Sequence, residues 1–115
     1  MRHKKTRPIL DRKAASRNAL LKSLANSFIV RGQIKSSLAK IRAVKPIVEK
    51  AITSAKKNDL SRRRELLKYF SEDAVNKLLK ELGPKYKDRK GGYTRKILTA
   101  PNFGDNSQQA YLELV

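Results

Sequence analysis

The sequence predicts an α+β fold: about four helices packed with a small three-stranded sheet, plus a basic extended N-terminal arm. Three observations lead there. Apolar residues recur at helical spacing in successive stretches between residues 14 and 82. After Pro84 the pattern changes to a run rich in Thr, Ile and Tyr and then to strict alternation, as strands require. Residues 1–13 show neither pattern and are dense in Lys and Arg. At 115 residues the chain fits one globular domain, 14–115, behind an arm, 1–13.

The arm reads MRHKKTRPILDRK, with Pro8 inside it and apolar content limited to Ile9 and Leu10. From an extended backbone Arg2, Lys4, Lys5, Arg7, Arg12 and Lys13 can each reach a phosphate. A frayed terminus with no role is the bland alternative, and the charge density argues against it.

The first helix is expected from about Ala14 to Val30, burying Leu20, Leu21, Leu24, Phe28 and Ile29, with Gly32 as its stop. A short strand at Gln33–Ser36 follows. Ser37 then reads as the N-cap of a second helix reaching Lys57, whose stripe is Leu38, Ile41, Val44, Val48, Ala51, Ile52 and Ala55. Pro46 interrupts that stripe without shifting its phase, which favours a kink over a break.

Asn58-Asp59 makes a turn into a third helix over Leu60–Phe70, with Leu66, Leu67 and Phe70 inward and Arg62, Arg63 and Arg64 mostly outward. Ser71 caps a fourth helix, Glu72 and Asp73 sit where its dipole favours negative charge, and Val75, Leu78, Leu79 and Leu82 form its buried face. Gly83-Pro84 reads as its terminator. Lys85–Gly92 is a basic loop, Tyr93–Ala100 a strand, residues 101–107 a connection, and Gln109–Val115 a strand that turns Ala110, Leu112 and Leu114 to one side. The last two strands form an antiparallel hairpin, and the strand near Ile34 completes the sheet.

Charge is the strongest functional signal. Formal net charge is +18, from 28 Lys and Arg against 10 Asp and Glu. The first 48 residues hold thirteen of those bases and a single acid, Asp11, a net +12; no acid lies between Arg12 and Val48. Like charges repel in a compact state, so a polyanionic partner is expected to supply the balance.

Other classes lose ground. There is no cysteine, which removes disulfides, thiolate nucleophiles and Cys-ligated zinc and fits a reducing compartment. No apolar run approaches a membrane span, and no secretory or transit signal is evident, so the chain reads as complete, mature and cytoplasmic. Membrane-surface binding is disfavoured because the apolar helix faces suit a shared core and tryptophan is absent.

No enzyme is expected. His3 is the only histidine and lies in an arm that neither orients it nor excludes water. Glu72-Asp73 is better explained by the helix dipole than by acid/base or metal chemistry. Gly91-Gly92 lacks the Lys-Ser or Lys-Thr of a P-loop. Neither metal, cofactor nor small-molecule substrate is indicated.

The segment Arg89-Lys90-Gly91-Gly92-Tyr93-Thr94-Arg95-Lys96 admits two readings. The glycines permit positive φ and a close backbone approach to a phosphate, with Tyr93 as a stacking ring and Arg95 and Lys96 beside it. Alternatively it is an ordinary loop-to-strand transition with Tyr93 half-buried. Basic residues are dispersed over arm, helices and loop, and no recognition helix follows a short turn. That dispersal suits RNA held by shape and phosphate contact better than a DNA groove. A DNA-compacting or regulatory module is the competing class.

Motifs along nearly the whole chain resemble the bacterial-type large-subunit ribosomal protein seventeen family. They are Met1-Arg2-His3, Leu10-x-Arg12, Arg17-x-Ala19-Leu20, Ile34-Lys35-Ser36-Ser37, Glu81-Leu82-Gly83-Pro84, Gly91-Gly92-Tyr93-Thr94-Arg95, Gly104-Asp105-Asn106 and Ala110-Tyr111-Leu112-Glu113-Leu114. The chain departs from the pattern at Ser16, often histidine in the family, at Ser36-Ser37, often Thr-Thr, and at Pro46, more often a helix former. The resemblance implies a structural component of the large ribosomal subunit, bound to large-subunit (23S-type) rRNA near the outer part of the peptide exit tunnel beside other ribosomal proteins. It implies contacts by Arg2, His3, Arg12, Arg17 and the loop Gly91–Arg95. From charge alone Lys4, Lys5, Lys35, Lys40 and Arg62–Arg64 join that set.

Overall fold

The order of elements is α1 (Ala14–Arg31), β1 (Gln33–Ser37), α2 (Leu38–Ala55), α3 (Leu60–Leu67), α4 (Glu72–Lys77), a π-helical segment (Leu78–Leu82), α5 (Gly83–Lys85), β2 (Thr94–Leu98) and β3 (Gln109–Leu114). This computed structural model describes residues 14–101, 104 and 107–115. The expected arm contacts Arg2, His3, Lys4, Lys5, Arg7, Arg12 and Lys13, with the apolar pair Ile9 and Leu10, lie outside the described residues.

The apolar stripe of α2 organises the interior. Ile41, Val44, Val48 and Ile52 are fully buried along it, as a period of 3.6 residues requires. They meet Phe28 and Ile29 of α1, Val75 of α4, Leu78 of the π-helical segment and Leu112 of β3, all fully buried in one cluster. Burying each such side chain is worth about 1.5–3 kcal/mol. Leu21 and Leu24 of α1 pack against this cluster from its margin.

The sheet order is β1-β3-β2, antiparallel throughout. The expected hairpin is therefore present, and β1 joins it on the far side of β3. Ile34 pairs with Leu112, and Ser36 with Ala110; Ile34, Ala110 and Leu112 are buried. Because side chains alternate across a strand, the opposite side carries Tyr111, Glu113, Lys35 and Arg95.

Several boundaries differ from expectation for identifiable reasons. Gly32 stops α1 as predicted, with φ +82. Ser37 is the N-cap residue of α2 as expected, but as the last residue of β1 it makes no side-chain cap bond. The first N–H of α2, from Leu38, is satisfied by the Gln108 carbonyl at 2.9 Å, supplied by the approach to β3. Helix α2 runs unbroken through Pro46, which lies at an exposed position. Water there can satisfy the carbonyl that a missing N–H leaves free.

Helix α3 ends at Leu67 rather than Phe70, and a turn carries Phe70 back into the core. Leu67, expected inward, is 42% exposed, because so short a helix presents one narrow apolar stripe, filled by Leu66. Asp59 caps α3 by accepting the Arg62 N–H at 2.8 Å, and Ser71 caps α4 by accepting the Ala74 N–H at 3.3 Å.

Gly83-Pro84 does not terminate the fourth helix. The Gly83 N–H donates to the Leu78 carbonyl five residues back, and the chain stays helical to Lys85. Gly83 has ordinary helical φ and lies against α2: a Cβ there would sit 2.9 Å from the Ala55 carbonyl oxygen. Its role is close packing, not a stop. Tyr86, placed in a loop by the sequence, is buried and donates its hydroxyl to the Val115 carbonyl at 2.8 Å.

Candidate nucleic-acid interface

The loop entering β2 is fastened to α2 by one carboxylate. Glu49 accepts the Tyr93 N–H at 3.3 Å, the Thr94 N–H at 2.9 Å and the Thr94 hydroxyl at 2.6 Å. The Lys45 ammonium lies 3.7 Å from Glu49 and donates to the Thr94 carbonyl at 3.4 Å. Burial pushes the Glu49 carboxyl up, but the Thr94 hydroxyl, the two N–H donors and Lys45 outweigh it and hold it below the ordinary carboxylate value.

Tyr93 is the second fastening. It is 1% exposed, so its ring offers no surface for stacking on a base, and the interior alternative is the one the fold adopts. The ring packs on Tyr86 at 5.2 Å between centroids. Its hydroxyl pairs with that of Thr53 at 3.2 Å and accepts from Lys56 at 3.1 Å. The bond to Thr53 draws the phenol below its ordinary value, burial opposes it, and Lys56 adds to the lowering. Lys56 also donates to the Arg89 carbonyl at 2.6 Å, and Arg89 Nε to the Gly92 carbonyl at 3.2 Å.

Gly91 and Gly92 have φ +86 and +65, so both glycines are needed for backbone conformation. A Cβ on Gly91 would meet nothing within 4 Å, which leaves open space in front of that peptide. The result is a pre-ordered loop with exposed Arg89 and Lys90 at its tip. Arg95 and Lys96 follow on β2 but on opposite sides of the sheet. Arg95 donates to Glu113 at 2.7 Å while its side chain stays 62% exposed. Lys96 is exposed at the sheet edge, in register with Leu112.

The remaining candidates occupy several surfaces. Lys35 is exposed on β1 with its ammonium 5.6 Å from the centre of the Tyr111 ring. Lys40 is half-buried in the first turn of α2. Half-buried Arg17 borders a groove of about 780 Å3 between α1, α2 and α3, beside Pro46 and Tyr69. Arg62 lies 3.8 Å from Glu65, Arg63 donates to Asn76 at 3.1 Å, and Arg64 is exposed with no ion pair among the described residues.

Sequence reasoning missed Lys50 and Lys57. Lys50 lies on α2 and Lys57 in the turn just beyond it, both exposed, and with Arg62 and Gly91 they line a second cleft. Their spacing was visible; that α3 and the glycine loop face them was not. Among the described residues no group of carboxylates and histidines could hold a metal ion, and no helix is long and apolar enough to cross a membrane.

The model of the family described as "Ribosomal protein L17" matches residues 20–115. The large ribosomal subunit protein bL17 of Hydrogenobaculum sp. is 46% identical over 118 aligned positions, covering 100% of this chain and 99% of the relative. That of Natranaerobius thermophilus is 45% identical over 107, covering 92% and 95%, and that of Halothermothrix orenii 40% over 107, covering 92% and 94%.

Proposed function

The chain belongs to the ribosomal protein L17 family, and from that membership we propose that it binds large-subunit (23S-type) rRNA through its basic arm, its helices and the loop Arg89–Lys96. It is a structural constituent of the large subunit of the cytoplasmic ribosome, acts in translation and carries out no catalysis. Its place is beside other ribosomal proteins near the outer part of the peptide exit tunnel.

The observation that supports the RNA reading is the arrangement of charge around the fastened loop. Glu49 and Glu113 are engaged by Thr94 and Arg95, and Arg89, Lys90, Arg95 and Lys96 stay exposed, outnumbering the exposed Asp88 at the start of the loop. A rigid scaffold of this kind holds phosphate-binding groups at fixed separations, so less freedom is lost when RNA binds. The arm residues Arg2, His3, Lys4, Lys5, Arg7, Arg12 and Lys13 supply a second, separate contact. Counterion release accounts for much of the affinity. Tyr93 contributes by fixing the loop from inside rather than by stacking.

Footprinting on rRNA tests the two-contact reading. Deletion of residues 1–13 removes protection at one site and leaves the melting temperature within a few degrees. Arg95→Ala removes protection at a different site with little loss of stability. If both variants leave the full wild-type footprint, contact through arm and loop is wrong.

A further inference from the structure

Between α2, the start of α3 and the Gly91 peptide lies an open cleft of about 450 Å3. Lys50 and Ser54 stand on its α2 wall four residues apart, on one face of the helix, and Lys57 follows in the turn just past the end of α2. Arg62 enters from the first turn of α3. Neither Lys50 nor Lys57 forms an ion pair among the described residues. The Arg62–Glu65 contact is loose, at 3.8 Å, and leaves most of the guanidinium donors free. Glu49 also borders the cleft, but its oxygens are occupied by Tyr93 and Thr94.

Ordinary helix electrostatics do not account for this grouping. A cation near the C-terminus of α2 is favourable, which explains Lys57. The same rule disfavours Arg62 in the first turn of α3, where the nearest acid, the N-cap Asp59, is already engaged by the Arg62 N–H. Lys50 lies mid-helix and gains nothing from the dipole. Three cations converging on one concave site repel one another unless an anion joins them. The empty space in front of Gly91 leaves room for an oxyanion at this rim, while the Gly91 N–H itself faces the Tyr93 hydroxyl.

We propose that this cleft is a phosphate site holding a backbone phosphodiester of the bound RNA, an inference that rests on the rRNA-binding function above. Lys50, Lys57 and Arg62 supply charge, the Ser54 hydroxyl supplies a neutral donor, and Glu49, at the rim of the cleft, is engaged by Lys45, Tyr93 and Thr94 and keeps the Gly91 lip in position. The cleft thus joins the helical body to the loop as one contact.

The test compares wild type, Lys50→Ala/Lys57→Ala, and the control Lys68→Ala/Lys80→Ala in binding to large-subunit rRNA. Both double variants lose the same charge from exposed positions, Lys68 and Lys80 lying away from the cleft. The cleft variant is expected to bind on the order of tenfold more weakly than the control, with a salt slope shallower by about one. Melting temperatures of both should match wild type. If the wild type binds rRNA and the two variants bind alike, the cleft assignment falls while the RNA function stands. If the wild type shows no preference for rRNA, the function itself falls. A second arm titrates inorganic phosphate at constant ionic strength while following the Gly91 amide resonance. No saturating shift is expected; a saturating one would reassign the site to free phosphate.

Discussion

Glu49 shows how one side chain converts a flexible glycine segment into a fixed surface. Its carboxylate takes three hydrogen bonds from Tyr93 and Thr94 while remaining beside Lys45. Glu49→Gln keeps the shape but loses the charge, and is expected to cost about 1–3 kcal/mol of stability at neutral pH. The folded-state pKa of Glu49 lies below the ordinary carboxylate value. Its contribution is therefore complete above that ordinary value and disappears as pH falls through the lower, folded-state value. Urea unfolding of both proteins should show a gap at neutral pH that closes in acid. A gap that persists unchanged in acid would mean that the carboxylate charge is not what holds the loop. The sequence shows the motif Gly91-Gly92-Tyr93-Thr94 but not its partners, because Glu49, Thr53 and Lys56 lie 37 to 45 residues upstream. Only the packing of α2 under β2 brings them together, which is why Tyr93 was as readable as a stacking ring as it was as an interior one.

At the scale of elements, two glycines that both read as chain-turning positions do different work. Gly91 needs positive φ and has empty space where a Cβ would stand. Gly83 has ordinary helical φ but no room, with the Ala55 carbonyl oxygen 2.9 Å from that point. Gly83→Ala must push α2 from α5 and is expected to cost about 1–3 kcal/mol, as overpacking does. Gly91→Ala is expected to cost about 1–2 kcal/mol through backbone strain alone. Crystal structures or amide chemical shifts distinguish them: Gly83→Ala perturbs the end of α2, and Gly91→Ala only the loop. Perturbation of α2 by Gly91→Ala would contradict the assignment. Periodicity located α1, α2 and β3 because each has a regular buried stripe, whereas β2, buried only at Thr94, was located by its composition. It misjudged the ends of α3 and the fourth helix because there the outcome depends on neighbours. Gly83-Pro84 has the composition of a stop, and only contact with Ala55 reveals a packing glycine.

For the whole molecule, the decisive property is the separation of two tasks. A small core of Phe28, Ile29, Ile41, Val44, Ile52 and Leu112 fixes the scaffold, and the chain as a whole carries an excess charge of +18. That division was legible from composition, since the basic residues avoid the apolar stripes. The convergence of Lys50, Lys57 and Arg62 was not, since it depends on how α3 sits against α2. With about ten phosphates neutralised, log affinity for rRNA should fall with log salt at a slope of about −7 to −9. A slope near zero would remove phosphate contact as the source of affinity.

Competition between large-subunit rRNA and duplex DNA for the full chain, at one moderate salt concentration, tests the central claim most directly. Both polymers offer phosphates, so charge alone cannot separate them, whereas surfaces fixed by the scaffold distinguish a folded RNA from a regular duplex. The rRNA is expected to displace the chain from DNA at much lower nucleotide concentration than the reverse. Equal displacement, or a preference for DNA, would contradict the account.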